Sequence, residues 1–178
     1  RADVRPRAAE KGRDPEKIFL LTAVQPVIGE TEEIARARAD YLDELICPDV
    51  AIAFLSGMIG RDATGFDPET PIDTVLERTA GASRKGAVDG GAAFPWLDRI
   101  REEDPGRCWT LQDIAIRMSR STSTPRLVGT PEQVADQLES YFLAGACDGF
   151  VITPTHFPGS FDEFSRSVVP ILRLRGHV

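Results

Sequence analysis

Polar residues that could take part in chemistry lie at the ends of segments predicted as strands. Gln25 follows the first long apolar run, Thr153 ends the last one, and His156 comes three positions later. An imidazole in this position could contact a bound cofactor or stabilise a developing oxyanion, and a surface-loop histidine is the alternative. The side chains of Gln25 and Thr153 could reach the same ligand, or they could satisfy backbone groups of the loops.

A second candidate lies where a predicted strand meets a predicted helix. The backbone N–H groups of Gly129 and Thr130 stand at the beginning of that helix, where the helix dipole favours an anion. Plain capping is the alternative, because Thr130 and Gln133 match a T-x-x-Q capping box around a proline at the first helical position. Residues 84–86, Arg-Lys-Gly, could also meet an anion, and a solvated loop is the alternative there.

Other patterns that mark catalytic centres are absent from the sequence. It contains no nucleophile and base at a recognisable spacing, no metal-ligand cluster and no G-x-G-x-x-G turn, so no catalytic residue is assigned. Its three cysteines have no C-x-x-C spacing, which favours reduced thiols over a disulfide framework or a metal site. His177 lies in the C-terminal tail, and we expect it to be solvated.

Composition limits the classes of function. The 178 residues, 42% of them hydrophobic and 28% charged, suffice for one globular domain. A net charge of −7 argues against nucleic acid and anionic membranes as partners. No apolar run approaches the roughly 20 residues that cross a bilayer. The sequence opens with neither Met nor a signal-like segment, so a mature start, a trimmed chain and a lost N-terminal region all stay open. Because the thiols are expected to be reduced, we predict a cytoplasmic protein.

The order of predicted elements indicates a parallel α/β fold. Residues 18–24, 126–129 and 150–153 are predicted strands, and helices follow each of the last two. Three helices have predicted apolar stripes. The first begins at a Thr31 cap, ends at Pro48 and has the stripe Ile34, Tyr41, Leu42, Leu45 and Ile46. The second has the stripe Val134, Leu138, Tyr141 and Phe142. The third begins at a Ser160–Glu163 capping box, should kink or end at Pro170, and has the stripe Phe161, Phe164, Val168 and Ile171.

Residues 49–123 interrupt this alternation and are rich in Gly and Pro. We interpret them as an irregular insertion, of the kind that often forms a lid or a substrate loop. Residues 51–55 are the nearest approach to a strand. Short helices are predicted at residues 97–102 and 110–118, the second with a cap formed by Thr110 and Asp113.

Three motifs near the C-terminus together resemble one enzyme family. They are V-G-T-P-E-Q-V-A-D at residues 128–136, D-G-F at 148–150 and V-V-P-x-L-x-x-R-G at 168–176. At this spacing they are similar to the bacterial-luciferase-like two-component flavin monooxygenases, in the branch that contains the nitrilotriacetate and dibenzothiophene-sulfone enzymes. The resemblance extends over most of the chain and is weakest in the middle.

The resemblance implies a (β/α)8 barrel enzyme that uses reduced FMN and O2 on a small organic substrate. An NAD(P)H:FMN reductase would supply the flavin, and the site would lie at the carboxyl ends of the strands. Gln25, Val128, Gly129, Thr153 and His156 would then contact the cofactor, and a core valine is the alternative for Val128. Ser56 and Asp62 fall in the segment similar to the family's substrate-side insertion and would contact substrate, with turn chemistry as the alternative.

The length conflicts with a complete barrel, which needs roughly 250 residues. Three strands cannot close one, so residues 1–178 are predicted as a single partial barrel domain with about strands six to eight. The rest would come from a longer polypeptide, whose N-terminal part would hold the main flavin-phosphate contacts, or from another chain in a homo-oligomer. Two alternatives stay open: a non-catalytic truncated paralogue acting as a structural or interaction module, and a different α/β enzyme that binds a phosphorylated ligand at Gly129 and Thr130.

Overall fold

A computed structural model describes residues 2–81, 94–121 and 124–177. The chain divides into two compact units. Residues Arg1–Tyr41 and Thr124–Val178 form the sheet unit, and Leu42–Ser123 form the helical unit. In chain order the elements are α1 Val4–Glu10, β1 Leu21–Ile28, α2 Glu32–Glu44, α3 Pro48–Ile59, α4 Ile72–Arg78, α5 Pro95–Glu103, α6 Leu111–Ser119, β2 Arg126–Gly129, α7 Pro131–Leu143, β3 Gly149–Ile152 and α8 Gly159–Leu174.

The sheet unit confirms the predicted parallel α/β fold, with an unexpected strand order. All three strands run parallel in the order β2-β1-β3. Three consecutive barrel strands would place β2 in the middle, whereas β1 lies there. The carboxyl half of β1 pairs with β2, and its amino half pairs with β3.

The bounds predicted for the first strand were wrong. The strand begins at Leu21 rather than residue 18, and it continues through Pro26 to Ile28. The backbone N–H of Gln25 donates towards β2, so the nitrogen of Pro26 faces the β3 side. Since β3 ends level with Val24, no ladder bond is lost at the proline.

One face of the sheet is covered by α7 and α8. Val24, Ile28 and Leu127 pack against a layer of buried side chains from the two helices: Val134, Ala135, Leu138, Phe164, Val168 and Leu172. Because side chains alternate along a strand, Gln25 and Val128 lie on the opposite face. The predicted stripe of α7 is half correct, since Tyr141 and Phe142 are exposed.

Predictions for the other helices of this unit also need correction. In α2 the buried residues are Ala35 and Ala39, whereas Ile34, Tyr41 and Leu45 of the predicted stripe are exposed. The predicted capping box at the start of α8 does not form. Ser160 is already inside the helix, and its hydroxyl bonds the preceding turn instead.

Pro170 does not end α8, which continues to Leu174. His177, expected to be solvated, is partly buried instead. Its Nε2 lies 2.6 Å from Oε1 of Glu139 on α7, and its ring meets Phe142 edge-on. The C-terminal end of the described chain is therefore fixed to α7.

The helical unit corrects the expectation of an irregular insertion. Residues 51–55, considered as a strand, belong to the helix α3. This helix begins at Pro48 and is followed by Gly60, its C-cap residue, at φ +67°. An apolar run alone does not separate a strand from a buried helix. The predicted helices near residues 97–102 and 110–118 are confirmed as α5 and α6, and the Thr110–Asp113 box is present. Residues 84–86 lie outside the described chain.

Candidate functional site

The strand residues predicted to contact a cofactor meet at the carboxyl end of β1 and β2. Gln25 is 8% exposed, and its Oε1 accepts a hydrogen bond of 3.2 Å from Nε of Arg126, its register partner on β2. Two residues further along the strands, Val27 pairs with Val128 on the same face of the sheet. An amide, a guanidinium and two apolar side chains therefore line the face opposite the helices.

Thr153 and His156 follow β3 in the same unit. The backbone N–H of Thr153 donates to the carbonyl of Val24 at 2.8 Å, which fixes the residue beside β1. His156 is exposed in the turn before α8, and its Nδ1 lies 3.1 Å from the hydroxyls of both Thr155 and Ser160. The structure thus orders the His156 ring within the turn.

The turn between β2 and α7 forms the capping box that the sequence predicts. The hydroxyl of Thr130 accepts from the N–H of Gln133 at 3.3 Å, and Oε1 of Gln133 accepts from the N–H of Thr130 at 2.9 Å. A Cβ at position 129, where φ is +157°, would lie 2.6 Å from that Oε1. Glycine is therefore required for the cap, and the Thr130 N–H already has an acceptor.

Ser56 and Asp62, predicted to contact substrate, are in the helical unit and take part in the turn after α3. The Ser56 hydroxyl donates to the carbonyl of Ile52 at 2.8 Å and accepts from the N–H of Ala63 at 3.0 Å. Asp62 is exposed and accepts from both the N–H and the hydroxyl of Thr64. These bonds are the turn chemistry named as the alternative.

Three residues near the candidate positions make contacts that the sequence did not predict. Arg126 was visible as a cation within an apolar strand, and Ser160 was assigned to a cap. Asp148 of the D-G-F motif lies at the amino end of β3, opposite the candidate site. Its carboxylate accepts from the N–H of Leu20 at 2.9 Å and pairs with Arg5 at 3.2 Å. This motif residue is therefore structural.

The carboxyl end of the sheet combines apolar and polar side chains. Val27 and Val128 are neighbouring apolar side chains, and Gln25 and His156 are polar. Val27 and Gln25 are buried, whereas His156 is exposed. Across the described ranges, no group of three or more His, Cys, Asp or Glu could hold a metal ion. Within the same ranges, no helix combines the length and hydropathy required to cross a membrane.

Comparison with known proteins gives one family. The model of the luciferase-like monooxygenases matches residues 1–147. Dibenzothiophene-sulfone monooxygenase of Rhodococcus erythropolis is 35% identical over 93% of this chain and 35% of its own length. Nitrilotriacetate monooxygenase component A of Aminobacter aminovorans is 31% identical over 98% of this chain and 36% of its own.

A solved structure agrees with these relatives. The crystal structure of riboflavin lyase with modified FMN and riboflavin superposes with a TM-score of 0.68 and 29% identity, over 98% of this chain and 35% of that one. The chain thus spans about a third of the length of the relatives it matches, and its α/β fold matches theirs.

Proposed function

Because the chain belongs to the luciferase-like monooxygenase family, we propose that it forms part of a flavin-dependent monooxygenase that uses reduced FMN and O2. A separate NAD(P)H:FMN reductase supplies the flavin, as the name "component A" of one relative suggests for that protein. The observation that supports this function best is the family match together with the polar and apolar groups at the carboxyl end of the sheet. A cytoplasmic location is part of the proposal.

Five residues of the sheet unit are assigned to the cofactor. The side chain of Val128 would pack against the isoalloxazine ring, and the backbone of Gly129 would lie beside it. Gln25, Thr153 and His156 provide polar groups for its carbonyl edge. When bound, the flavin supplies the oxygen-transfer chemistry, and the task of these residues is to bind it, orient it and exclude water.

Residues 49–123 are proposed to act on the substrate side, with Ser56 and Asp62 next to a small organic molecule. Both side chains have hydrogen bonds within the turn after α3. We therefore assign them the role of shaping this turn. They would affect the substrate indirectly, through the position of the turn.

The chain is proposed to be the C-terminal part of the polypeptide, holding about strands six to eight of its barrel. Support comes from the 35% coverage of the relatives and from two outer strand edges, on β2 and β3, that have no partner within the described sheet. In a closed barrel the order β2-β1-β3 would change, because consecutive strands are neighbours. A disulfide between cysteines introduced on β2 and β3 would detect that neighbour relation.

The experiment that tests the function compares the 178-residue chain with a version extended upstream to the length of the relatives. FMN binding is followed by quenching of flavin fluorescence, and turnover by O2 consumption with an added reductase and NADH. The extended protein should bind FMN, and Gln25→Ala should weaken that binding. Gln137→Ala, which removes an amide from the α7 surface, should leave it unchanged.

Failure of the extended protein to bind FMN at high micromolar concentration would contradict the proposal. That result would instead support the alternative of a non-catalytic module. Equal loss of binding in the Gln25→Ala and Gln137→Ala proteins would contradict the cofactor position while leaving the family unaffected.

A further inference from the structure

The helix α3 is apolar on both of its faces, although only one of them is covered. The residues that it buries in the core of the helical unit are Ala51, Ile52, Leu55 and Ile59. On the opposite face Val50 is 66% exposed, Phe54 39% and Met58 38%, and the small residues Ala53 and Gly57 are exposed as well. A helix that is apolar all round is normally buried. The described parts of the chain therefore leave an apolar face of α3 uncovered.

No charged side chain interrupts this face. Val50, Phe54 and Met58 follow one another at intervals of four residues, so they form one stripe about 12 Å long on the helix surface. Asp49 is the only charged residue of α3, and it lies in the first turn. We call the exposed set Val50, Ala53, Phe54, Gly57 and Met58 the α3 face.

A groove adjoins the first half of the α3 face. It has a volume of about 480 Å³, and the apolar side chains that line it include Leu45, Val50 and Phe54. Leu45 is 62% exposed, so the groove is open to a side chain from outside. Methionine is well suited to such an irregular gap, because its side chain is unbranched and flexible.

The two ends of α3 carry opposite charges. Asp49 is exposed in the first turn, and Arg61 follows the C-cap residue Gly60 and is partly buried. Nη1 of Arg61 donates to the carbonyl of Leu76 at 3.0 Å. Among the residues that the structure describes, neither Asp49 nor Arg61 has an ion-pair partner. An antiparallel helix with the same two charges would complement both ends.

We propose that the α3 face is the contact surface between two copies of this chain, packed antiparallel about a two-fold axis beside Phe54. Val50 and Met58 lie four residues on either side of Phe54, so Val50 of each copy meets Met58 of the other, and that methionine enters the groove beside Val50. At the ends of the contact, Asp49 of each copy meets Arg61 of the other. A two-fold contact uses the same surface on both copies and closes on itself. It does not depend on flavin binding or on the proposed function.

The charge pattern favours a second copy as the occupant. Chains with a net charge of −7 repel one another, so a contact between copies needs a surface without excess negative charge. The α3 face meets this condition, because its centre is uncharged and the charges at its two ends are opposite in sign. The two-fold axis brings each of these charges to its opposite.

The association is tested on the 178-residue chain by sedimentation velocity over a range of micromolar concentrations. Wild type should form dimers. Val50→Glu places an unpaired carboxylate in the apolar stripe and should weaken the dimer by about 100-fold or more. A glutamate is favourable in the first turn of a helix, so the fold should be retained, and circular dichroism checks this. Leu143→Glu is the matched control, because Leu143 is 70% exposed on the sheet unit and its substitution should leave the dimer unchanged.

The antiparallel arrangement is tested by exchanging the charges at the two ends. Asp49→Arg and Arg61→Glu each bring like charges together and should weaken the dimer about 10-fold. A mixture of the two variants should form a heterodimer as tight as the wild-type dimer, because each variant supplies the charge that the other lacks. A mixture that associates no better than the separate variants overturns this arrangement.

A monomeric wild-type chain overturns the inference, and so does a dimer that persists in the folded Val50→Glu protein. Equal weakening by Val50→Glu and Leu143→Glu also overturns it, since the α3 face would then have no particular role. The same comparison in the version extended upstream distinguishes a second copy from further segments of the polypeptide. Dissociation by Val50→Glu is expected there too, and an extended protein that is monomeric overturns the inference. Its FMN binding is measured separately, so the proposed function can fail while the α3 contact stands.

Discussion

The two units differ in how completely they bury their own apolar residues. The helical unit encloses one cluster from α3, α4, α5 and α6, in which Leu55, Leu111 and Ile114 are fully buried. Most of the exposed large apolar side chains of the described residues belong to the sheet unit. They include Leu143 at 70%, Phe157 at 76% and Leu174 at 90% exposure.

This difference leaves apolar surface on the sheet unit in particular. A parallel sheet is normally covered on both faces, and α7 and α8 cover one face here. On the other face Leu21 and Val151 are exposed, while Gln25 and Val27 are buried. Apolar surface and strand edges of this kind mark sites of further association. Under the proposed function, additional strands of the same polypeptide would cover them.

The largest effects should come from the two cores. Leu138 on α7 is 1% exposed, and Leu55 on α3 is completely buried. Replacing either one with Ala should lower the free energy of unfolding by about 2–5 kcal/mol, because the side chain is lost and a cavity remains. Urea denaturation followed by circular dichroism measures both. Leu143→Ala is the control, since that exposed leucine of α7 should contribute little.

A change of less than about 0.5 kcal/mol for Leu138→Ala would mean that the α7 face is misassigned. Equal losses for Leu138→Ala and Leu143→Ala would contradict the burial difference along this helix. If Leu55→Ala lowered the free energy of unfolding strongly and Leu138→Ala only slightly, the difference between the two units would be larger than the burial suggests. The sheet unit would then be loosely packed without further strands.

A smaller effect should come from the carboxylate at the amino end of the sheet. Asp148→Ala leaves the N–H of Leu20 and the guanidinium of Arg5 without this partner, so we expect a loss of about 1–3 kcal/mol. Asp67→Ala in the helical unit removes an exposed bond to the N–H of Glu69, which water can replace. Urea midpoints that shift equally for both variants would contradict the structural role of Asp148.

Local patterns allowed much of the fold to be predicted. The strand β2 and the start of α7 were predicted correctly, because the strand, the capping box and the proline lie within a few residues of each other. The strand order was not predictable in this way, since it depends on which half of β1 each partner joins. Residues 51–55 were ambiguous because both a strand and a buried helix are apolar throughout.

The candidate site was predictable in position and less so in detail. Strand ends located Gln25, Thr153 and His156, which the structure holds in one unit. The partners of these side chains are distant in sequence or depend on turn geometry, as with Arg126 beside Gln25. Ser160 was assigned to a cap from its type and spacing, whereas the turn directs its hydroxyl to His156.

Each of the two units contains a capping box, so the contributions of the two caps to the free energy of unfolding can be compared directly. Thr110→Ala removes the cap of α6, and Thr130→Ala removes that of α7. Each should destabilise the protein by about 0.5–2 kcal/mol, because an N–H of the first turn loses its acceptor. Serine at either position retains the hydroxyl and should restore most of the stability. Loss on Ser substitution as large as on Ala would show that the threonine methyl group, not the cap, is responsible.

The smallest expected effect is a pH dependence at the start of α2. Hydrogen bonds from the backbone of Glu33 and from the Thr31 hydroxyl lower the pKa of the Glu33 carboxyl below its usual 4.5, with a further contribution from Arg36. A lowered pKa means that the carboxylate stabilises the folded state above pH 4.5, and that this contribution is lost as the pH falls through the lowered value. Glu33→Gln should therefore reduce the urea midpoint at pH 7, and this reduction should become smaller as the pH falls below 4.5. Glu44→Gln, at the other end of the same helix, should not reduce it, because a negative charge is unfavourable there. A Glu33→Gln difference that persists unchanged at low pH would assign the effect to packing rather than to charge.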